Sequence, residues 1–248
     1  MTKVVVVTGA SRGIGADTAR RAAQAGYGVI VNYASHAADA DAVVADILAQ
    51  GGRAEAVRAD MASEADIQAM FARADAMGKL AGLVNNAGYL GGESRVEDYE
   101  VEPMNRLWAV NVTACFICAR EAIRRMARKS GGDGGAIVNV SSMAANSGGL
   151  PSRVHYATTK GALNTFTRGL AKEVGRDGIR VNAVLPGAID THFNDDYDND
   201  GRNRRFLPNI PAGRIGVGDD VARVIVWLIS EEASYVAGEC IGVNGGMF

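Results

Sequence analysis

Short runs that are apolar at nearly every position alternate along the chain with longer alanine-rich stretches in which apolar residues recur every three or four positions. The runs are KVVVVT from Lys3, GVIVNY from Gly28, RAEAVRAD from Arg53, LAGLVNN from Leu80, GAIVNVSS from Gly135, IRVNAVLP from Ile179 and GECIGVNGG from Gly238. A strand that is apolar at successive positions is buried on both faces, as in a parallel sheet covered by helices. The stretches between them, at about 13–26, 37–51, 63–78, 97–129, 154–175 and 218–230, carry the helical period, and Gly26 and Gly51-Gly52 punctuate the first two ends. This alternation predicts an α/β fold: one doubly wound, seven-stranded, mostly parallel sheet with helices on both faces.

The 248 residues are 48% hydrophobic and 22% charged with only 5 prolines, and no linker, internal repeat or low-complexity tract divides them, so 1–248 is read as one domain. The exception to the pattern is 190–215, polar, charged and aperiodic; it reads as a solvated loop or, at about 190–212, a substrate lid. Asp195, Asp196, Asp198 and Asp200 do not follow the calcium-loop spacing and run on into Arg202, Arg204 and Arg205, so no metal site is expected there. A formal charge of -2 offers no general attraction to nucleic acid or to a membrane surface. The opening apolar run, MTKVVVVTGA, is too short for a signal peptide or membrane helix, and the chain is read as cytoplasmic. Cys115 and Cys118 form a C-x-x-C inside a helical pattern, and with only Cys240 besides, they read as buried helix positions rather than a redox or metal pair.

The first strand runs into TGASRGIG and then a helix. Gly9, Gly13 and Gly15 let the backbone turn tightly and approach a pyrophosphate at the positive helix N-terminus, with Ser11, Arg12 and Ile14 completing the loop. The gap of three between the first two glycines differs from the common G-x-G-x-x-G. It resembles the T-G-x-x-x-G-x-G of the short-chain dehydrogenase/reductase family, whose fold is a single-domain Rossmann sheet. The resemblance spans nearly the whole chain: NNAG at 85–88, Asn111, Ser142, YATTK at 156–160 and the Pro186-Gly187 turn.

Tyr156 and Lys160, four apart at the start of a helix, share one face. Carbonyl reduction needs a proton donor on the oxygen, and a phenol serves near neutrality if a nearby ammonium stabilises its phenolate. The resemblance makes Tyr156 the acid in reduction and the base in oxidation, and Lys160 that ammonium and a ligand of the nicotinamide ribose. It makes Ser142 the group that orients the substrate oxygen, and Asn111 the holder of a water linking Lys160 to solvent. Ser142 is chosen over Ser141 as the second of the pair after the strand; it stands fourteen residues before Tyr156, one more than the commonest family spacing, so the intervening loop differs. His155 and His192 stand near the site without a role beside this set.

For the cofactor, the resemblance assigns Asn85 to bracing the sheet, and Asn86, Ala87 and Gly88 to the adenosine side. Asp60 matches the position that binds the adenine amino group and could also cap the helix at 63–78; Met61 follows with its amide. Ile189 and Thr191, after Pro186 and Gly187, match positions that hold the nicotinamide carboxamide. Tyr33 stands where NAD-preferring relatives carry an aspartate, so nothing there repels a 2'-phosphate, and Arg12 can pair with one. Asn32, Ser35 and His36 add neutral hydrogen bonds, which makes NADP(H) the expected cofactor, with NAD(H) the second choice.

The resemblance thus implies an oxidoreductase moving a hydride between NADP(H) and a small-molecule carbonyl or secondary alcohol, with 3-oxoacyl-[acyl-carrier-protein] reductases and sugar or polyol dehydrogenases as the alternatives. Asp177, at the end of the helix carrying Tyr156, stands where a carrier-protein reductase would place a base. Outside the enzymes, a dinucleotide-binding sensor or scaffold would keep the fold, but such relatives lose the tyrosine or the lysine. Family members are usually homotetramers built through the fourth and sixth helices and the C-terminal strand; CFICAREAI offers apolar surface for this, and the end GVNGGMF could pack across such an interface.

Overall fold

The computed structural model describes residues 1–191 and 202–247. His192 and the aspartates at 195, 196, 198 and 200, and with them part of the expected lid, lie outside the described residues. All seven apolar runs form strands of one sheet: β1 (Lys3–Val7), β2 (Gly28–Tyr33), β3 (Arg53–Arg58), β4 (Lys79–Asn85), β5 (Gly135–Val140), β6 (Ile179–Pro186) and, last in the chain, β9 (Cys240–Val243). Their order is β3-β2-β1-β4-β5-β6-β9 and every pairing is parallel. A two-residue ladder outside this sheet, β7 (Ile189–Asp190) with β8 (Gly216–Val217), was not visible in the pattern.

Successive strand residues face opposite sides, and the sheet uses both. Val4 and Val6 pack into one core with α3 (Glu64–Met77), α5 (Ala114–Met126) and α7 (Val154–Val174), which the short α6 (Ala144–Ser147) precedes; Val5 and Val7 pack into the other with α1 (Gly13–Gln24), α2 (Ala37–Ala49) and α8 (Gly218–Ile229). The continuous apolar character of the strands is therefore a requirement of two-sided burial. The strand order reverses between β1 and β4, so the connections leaving their carboxyl ends diverge and open a crevice there.

The stretch expected as one helix over 97–129 is broken. It comprises a single turn at Val96–Asp98, then α4 (Val101–Trp108), a π-helical segment Ala109–Thr113 and α5. Its apolar period continues through the break, which is why the pattern concealed it. Single π turns recur at functional positions because one inserted residue redirects a side chain, and the residue at the centre of this one is Asn111. Among the described residues no helix is long and apolar enough to cross a membrane.

Candidate active site

At the reversal point the β1 loop is stitched to the β4 loop. Thr8 Oγ1 accepts the amides of Asn86 and Ala87, each at 2.9 Å, and Asn86 Nδ2 donates to the carbonyls of Thr8 (2.8 Å) and Gly9 (2.9 Å). Gly9 has φ +61°, and a Cβ there would lie 2.9 Å from Ala87 Cα. Gly15 tucks under the same turn, where a Cβ would stand 2.3 Å from the Gly9 carbonyl. A Gly9→Ala variant thus meets both left-handed strain and a backbone clash; it is expected to lose roughly 1–3 kcal/mol of stability and to bind dinucleotide at least about tenfold more weakly, checked by thermal denaturation and NADPH fluorescence titration.

The turn delivers the chain to the N-terminus of α1, where Arg12 is the N-cap residue, makes no side-chain capping bond, and is followed by no acidic residue in the first turn. The first-turn amides have no intrahelical acceptor and the helix dipole is uncompensated, the arrangement that suits a bound phosphate. This cradle opens into a cavity of about 880 Å³ lined along its length by Gly9, Ser11, Arg12, Gly13, Ile14, Asn32, Tyr33, Ser35, His36, Asp60, Met61, Asn86, Ala87 and Gly88, then by Ser142, Tyr156, Lys160, Pro186, Gly187, Ile189 and Thr191. The cavity and cradle fit an extended diphosphate-linked ligand such as a dinucleotide.

Of the expected site residues only Gly15 and Asn111 do not line the cavity. Asn111 is fully buried. Its Oδ1 accepts the Tyr89 amide at 2.7 Å, and its Nδ2 donates to the Tyr89 carbonyl (2.9 Å) and to Thr159 Oγ1 (3.0 Å), which in turn donates to the Tyr156 carbonyl (2.8 Å). The Asn111 side chain thus clamps the β4 loop to Thr159 of α7. Its main-chain carbonyl accepts Cys115 Sγ at 3.4 Å. Cys115 and Cys118 are buried helix positions, and burial pushes the Cys115 thiol up to about 11.

Two assignments need correcting. Asn32 was expected to contribute to a 2'-phosphate pocket, but its Oδ1 accepts the Gly9 amide (2.9 Å) and its Nδ2 is shared among the carbonyls of Tyr33, Val57 and Ala59 at 3.1–3.4 Å. With no donor left, it braces the glycine turn against β3. Asp60 does not cap α3; Ser63 does, its Oγ accepting the Asp66 amide at 3.3 Å. Asp60 accepts the Ala62 amide (2.9 Å), and Arg106 NH2 lies 3.0 Å from both of its carboxylate oxygens. Asn85 does brace the sheet, donating to Asn139 Oδ1 at 2.9 Å.

The two serines after β5 differ in what they touch. Ser141 is buried and donates to the Lys160 carbonyl (3.0 Å), whereas Ser142 accepts the Ala144 amide (3.1 Å) and hydrogen-bonds Tyr156. Lys160 Nζ donates to the Val140 carbonyl at 2.8 Å and lies 5.6 Å from the centre of the Tyr156 ring. The electrostatics run opposite to expectation. Desolvation pushes the Tyr156 phenol up to about 12, against the opposing pull of the Ser142 hydrogen bond and the Arg153 charge. The same cause pushes the Lys160 ammonium down to about 8. A lysine turned toward a backbone carbonyl stabilises a phenolate less than burial destabilises it.

His155 Nε2 hydrogen-bonds the Leu90 carbonyl (3.0 Å) while its ring packs on Tyr99, with centroids 4.6 Å apart, so it tethers a loop. Burial lowers its pKa. The cavity also takes in Glu93, Arg106, Arg153, Phe206 and Met247, none of them singled out from the sequence. Met247 shows that the C-terminal segment folds over this chain's own cavity: the Gly245 carbonyl accepts the Ala212 amide at 2.9 Å, and Asn244 Nδ2 approaches Met143 Sδ at 3.1 Å. Only the position of β9 beside β6 foretells this.

The family model described as enoyl-(acyl carrier protein) reductase matches residues 9–248. The chain belongs to the short-chain dehydrogenase/reductase family. It is an oxidoreductase of that family, whose members bind nicotinamide dinucleotides. An uncharacterized oxidoreductase of Escherichia coli in this family is 47% identical over 98% of this chain and 99% of its own length. Glucose 1-dehydrogenase 2 of Bacillus subtilis is 37% identical over 99% of this chain and 94% of its own. Among solved short-chain dehydrogenase/reductase structures, a blue fluorescent protein from a metagenomic library, in complex with NADPH, superposes with a TM-score of 0.90 at 34% identity, over 99% of this chain and 97% of that one.

Proposed function

We propose that this chain is an NADP(H)-dependent enzyme that interconverts a carbonyl compound and the corresponding secondary alcohol, with Tyr156 as the general acid and base. The observation that carries this reading is the convergence of Ser142, Tyr156 and Lys160 on one end of a cavity whose other end is the phosphate cradle of α1. Ile189 and Thr191 would hold the nicotinamide ring, which would supply or accept the hydride when bound. Ser142 donates a hydrogen bond to the substrate oxygen and Tyr156 Oη gives it a proton during reduction. A phenol held near 12 is protonated throughout the neutral range, which suits the acid role; oxidation needs the phenolate and gains as pH rises.

The preference for NADP(H) rests on Arg12, which lies at the cradle beside Tyr33, Ser35 and His36. Ser35 Oγ and His36 Nδ1 are 3.0 Å apart, and the Arg12 guanidinium stands 3.8 Å from Asp39 with both side chains more than a third exposed. So exposed a pair is weak and readily exchanged for a bound phosphate. Arg12→Ala is expected to raise the Kd for NADPH by about 10–100-fold, the worth of one charge-assisted contact, and the Kd for NADH by less than about threefold, read by fluorescence titration.

The described part of the 190–212 segment, with Phe206 in the cavity wall, supports the lid reading. Phe116 on α5 is 52% exposed and stacks on Phe166 of α7 with ring centres 4.0 Å apart, which supports assembly of a homotetramer through these helices. Asp177 is ion-paired to Lys129 at 2.7 Å, so this position holds a neutralised pair rather than the unpaired base that a carrier-protein reductase would place there. The reading is tested by following NADPH and NADH oxidation against 3-oxoacyl thioesters, quinones, steroids, aldehydes and keto sugars, with the reverse assay on alcohols. Dinucleotide binding without turnover of any of them would mean a sensor or scaffold.

A further inference from the structure

Next to Tyr156 the cavity wall carries a pair of opposite charges that the hydride chemistry does not use. Arg153 is the N-cap residue of α7, three positions before Tyr156, and only 9% exposed. Its NH2 donates to Glu93 Oε1 at 3.0 Å, and both side chains line the cavity. The loops bearing them are tied together, the Ser94 amide donating to the Ser152 carbonyl at 3.0 Å. The pair is thus held in place beside the reacting end.

Such a pair discriminates among substrates. An acyl chain laid over it would strip water from two charges and return no hydrogen bond. An anionic substrate would have to displace Glu93 from Arg153. Neighbouring hydroxyls satisfy both groups at once, because one oxygen accepts from the guanidinium while the next O–H donates to the carboxylate. We infer that Glu93 and Arg153 are substrate-specifying residues that hold adjacent hydroxyl groups, so that the site takes a polyhydroxylated carbonyl or alcohol such as an aldose, ketose or polyol. This rests on the proposed reading of Ser142 and Tyr156 as the groups on the reacting oxygen.

The test measures kcat and KM of the full chain with NADP(H) for a panel of aldoses, ketoses and polyols, their mono-deoxy analogues and a 3-oxoacyl thioester, in the native protein, Glu93→Gln and Arg153→Lys. In the native protein kcat/KM for the best polyhydroxylated substrate is expected to exceed that of at least one mono-deoxy analogue by about tenfold or more, since a site built for a hydroxyl rejects the compound that lacks it. The variants are expected to reduce this ratio to below about threefold, mainly through KM. If the thioester or the deoxy compounds are the better substrates, or if the ratio survives both substitutions, the inference is overturned while the hydride chemistry stands. Turnover of no carbonyl or alcohol at all overturns both. Should a variant fail to fold, the native ratio decides alone.

Discussion

Tyr156→Phe is expected to lower kcat by about 10³-fold or more while leaving the Kd for NADPH within about threefold, because the substitution removes one oxygen and keeps the ring. General acid–base groups contribute about 10²–10⁴-fold, and among the described residues Tyr156 is the titratable group hydrogen-bonded to Ser142, so a neighbour would have to replace the phenol. His155 cannot, since its Nε2 is bound to the Leu90 carbonyl and burial disfavours its charged form. Stopped-flow or steady-state assays with any competent carbonyl give kcat, and fluorescence titration gives Kd. Retained turnover would remove Tyr156 from the proton path.

The second large effect is expected of Lys160→Met: a loss of about 10²-fold or more in kcat/KM together with a rise of at least about tenfold in the Kd for NADPH, since the ammonium is proposed both to hold the ribose and to support the proton donor. Its pH signature is specific. With Lys160 held near 8, carbonyl reduction by the native enzyme is expected to decline above that pH as the charge is lost, and the Met variant to lack this limb.

The stability change runs the other way. Lys160 has a lower pKa folded than unfolded, so between about 8 and its ordinary value of 10.5 the unfolded chain binds the extra proton. The buried charge therefore costs stability in full below pH 8, and that cost is relieved as pH rises toward 10.5. A methionine of similar length removes the cost but leaves the Val140 carbonyl without its donor. A Met variant as stable as the native protein at pH 7, but catalytically crippled, separates the chemical role from a structural one.

The sheet was legible in the sequence because two-sided burial leaves little choice: strands such as VVVV at 4–7 have no polar position through which another period could enter. The glycine turn was legible for a related reason, since close backbone approach restricts residue type, whereas Ser142, Tyr156 and Lys160 were singled out by the family resemblance. What the sequence concealed depends on contacts between distant segments. Asn32 looked like a phosphate ligand because its place at the strand end is visible, whereas its capture by Gly9 and by the carbonyls of Tyr33, Val57 and Ala59 is not.

Asp60 and Ser63 are equally good caps by type, and only the register of Ile67, Met70 and Phe71 in the core selects Ser63. The π turn at Asn111 leaves no mark on a period read in single residues. The pairing of Glu93 with Arg153, sixty positions apart, follows from two loops meeting in the cavity wall. The perturbed tyrosine and lysine reflect burial, which their four-residue spacing does not encode.

The central claim is that this cavity positions a dinucleotide and a carbonyl substrate for direct hydride transfer. It is tested most directly by incubating the protein with a panel of carbonyl compounds and NADPH carrying deuterium at the reactive C4 position, then analysing the alcohol products by mass spectrometry. Deuterium on the new carbinol carbon, supplied from one face of the ring and abolished by Tyr156→Phe, is the expected result. Tight NADPH binding with no labelled alcohol from any carbonyl, whichever C4 position carries the label, would contradict it.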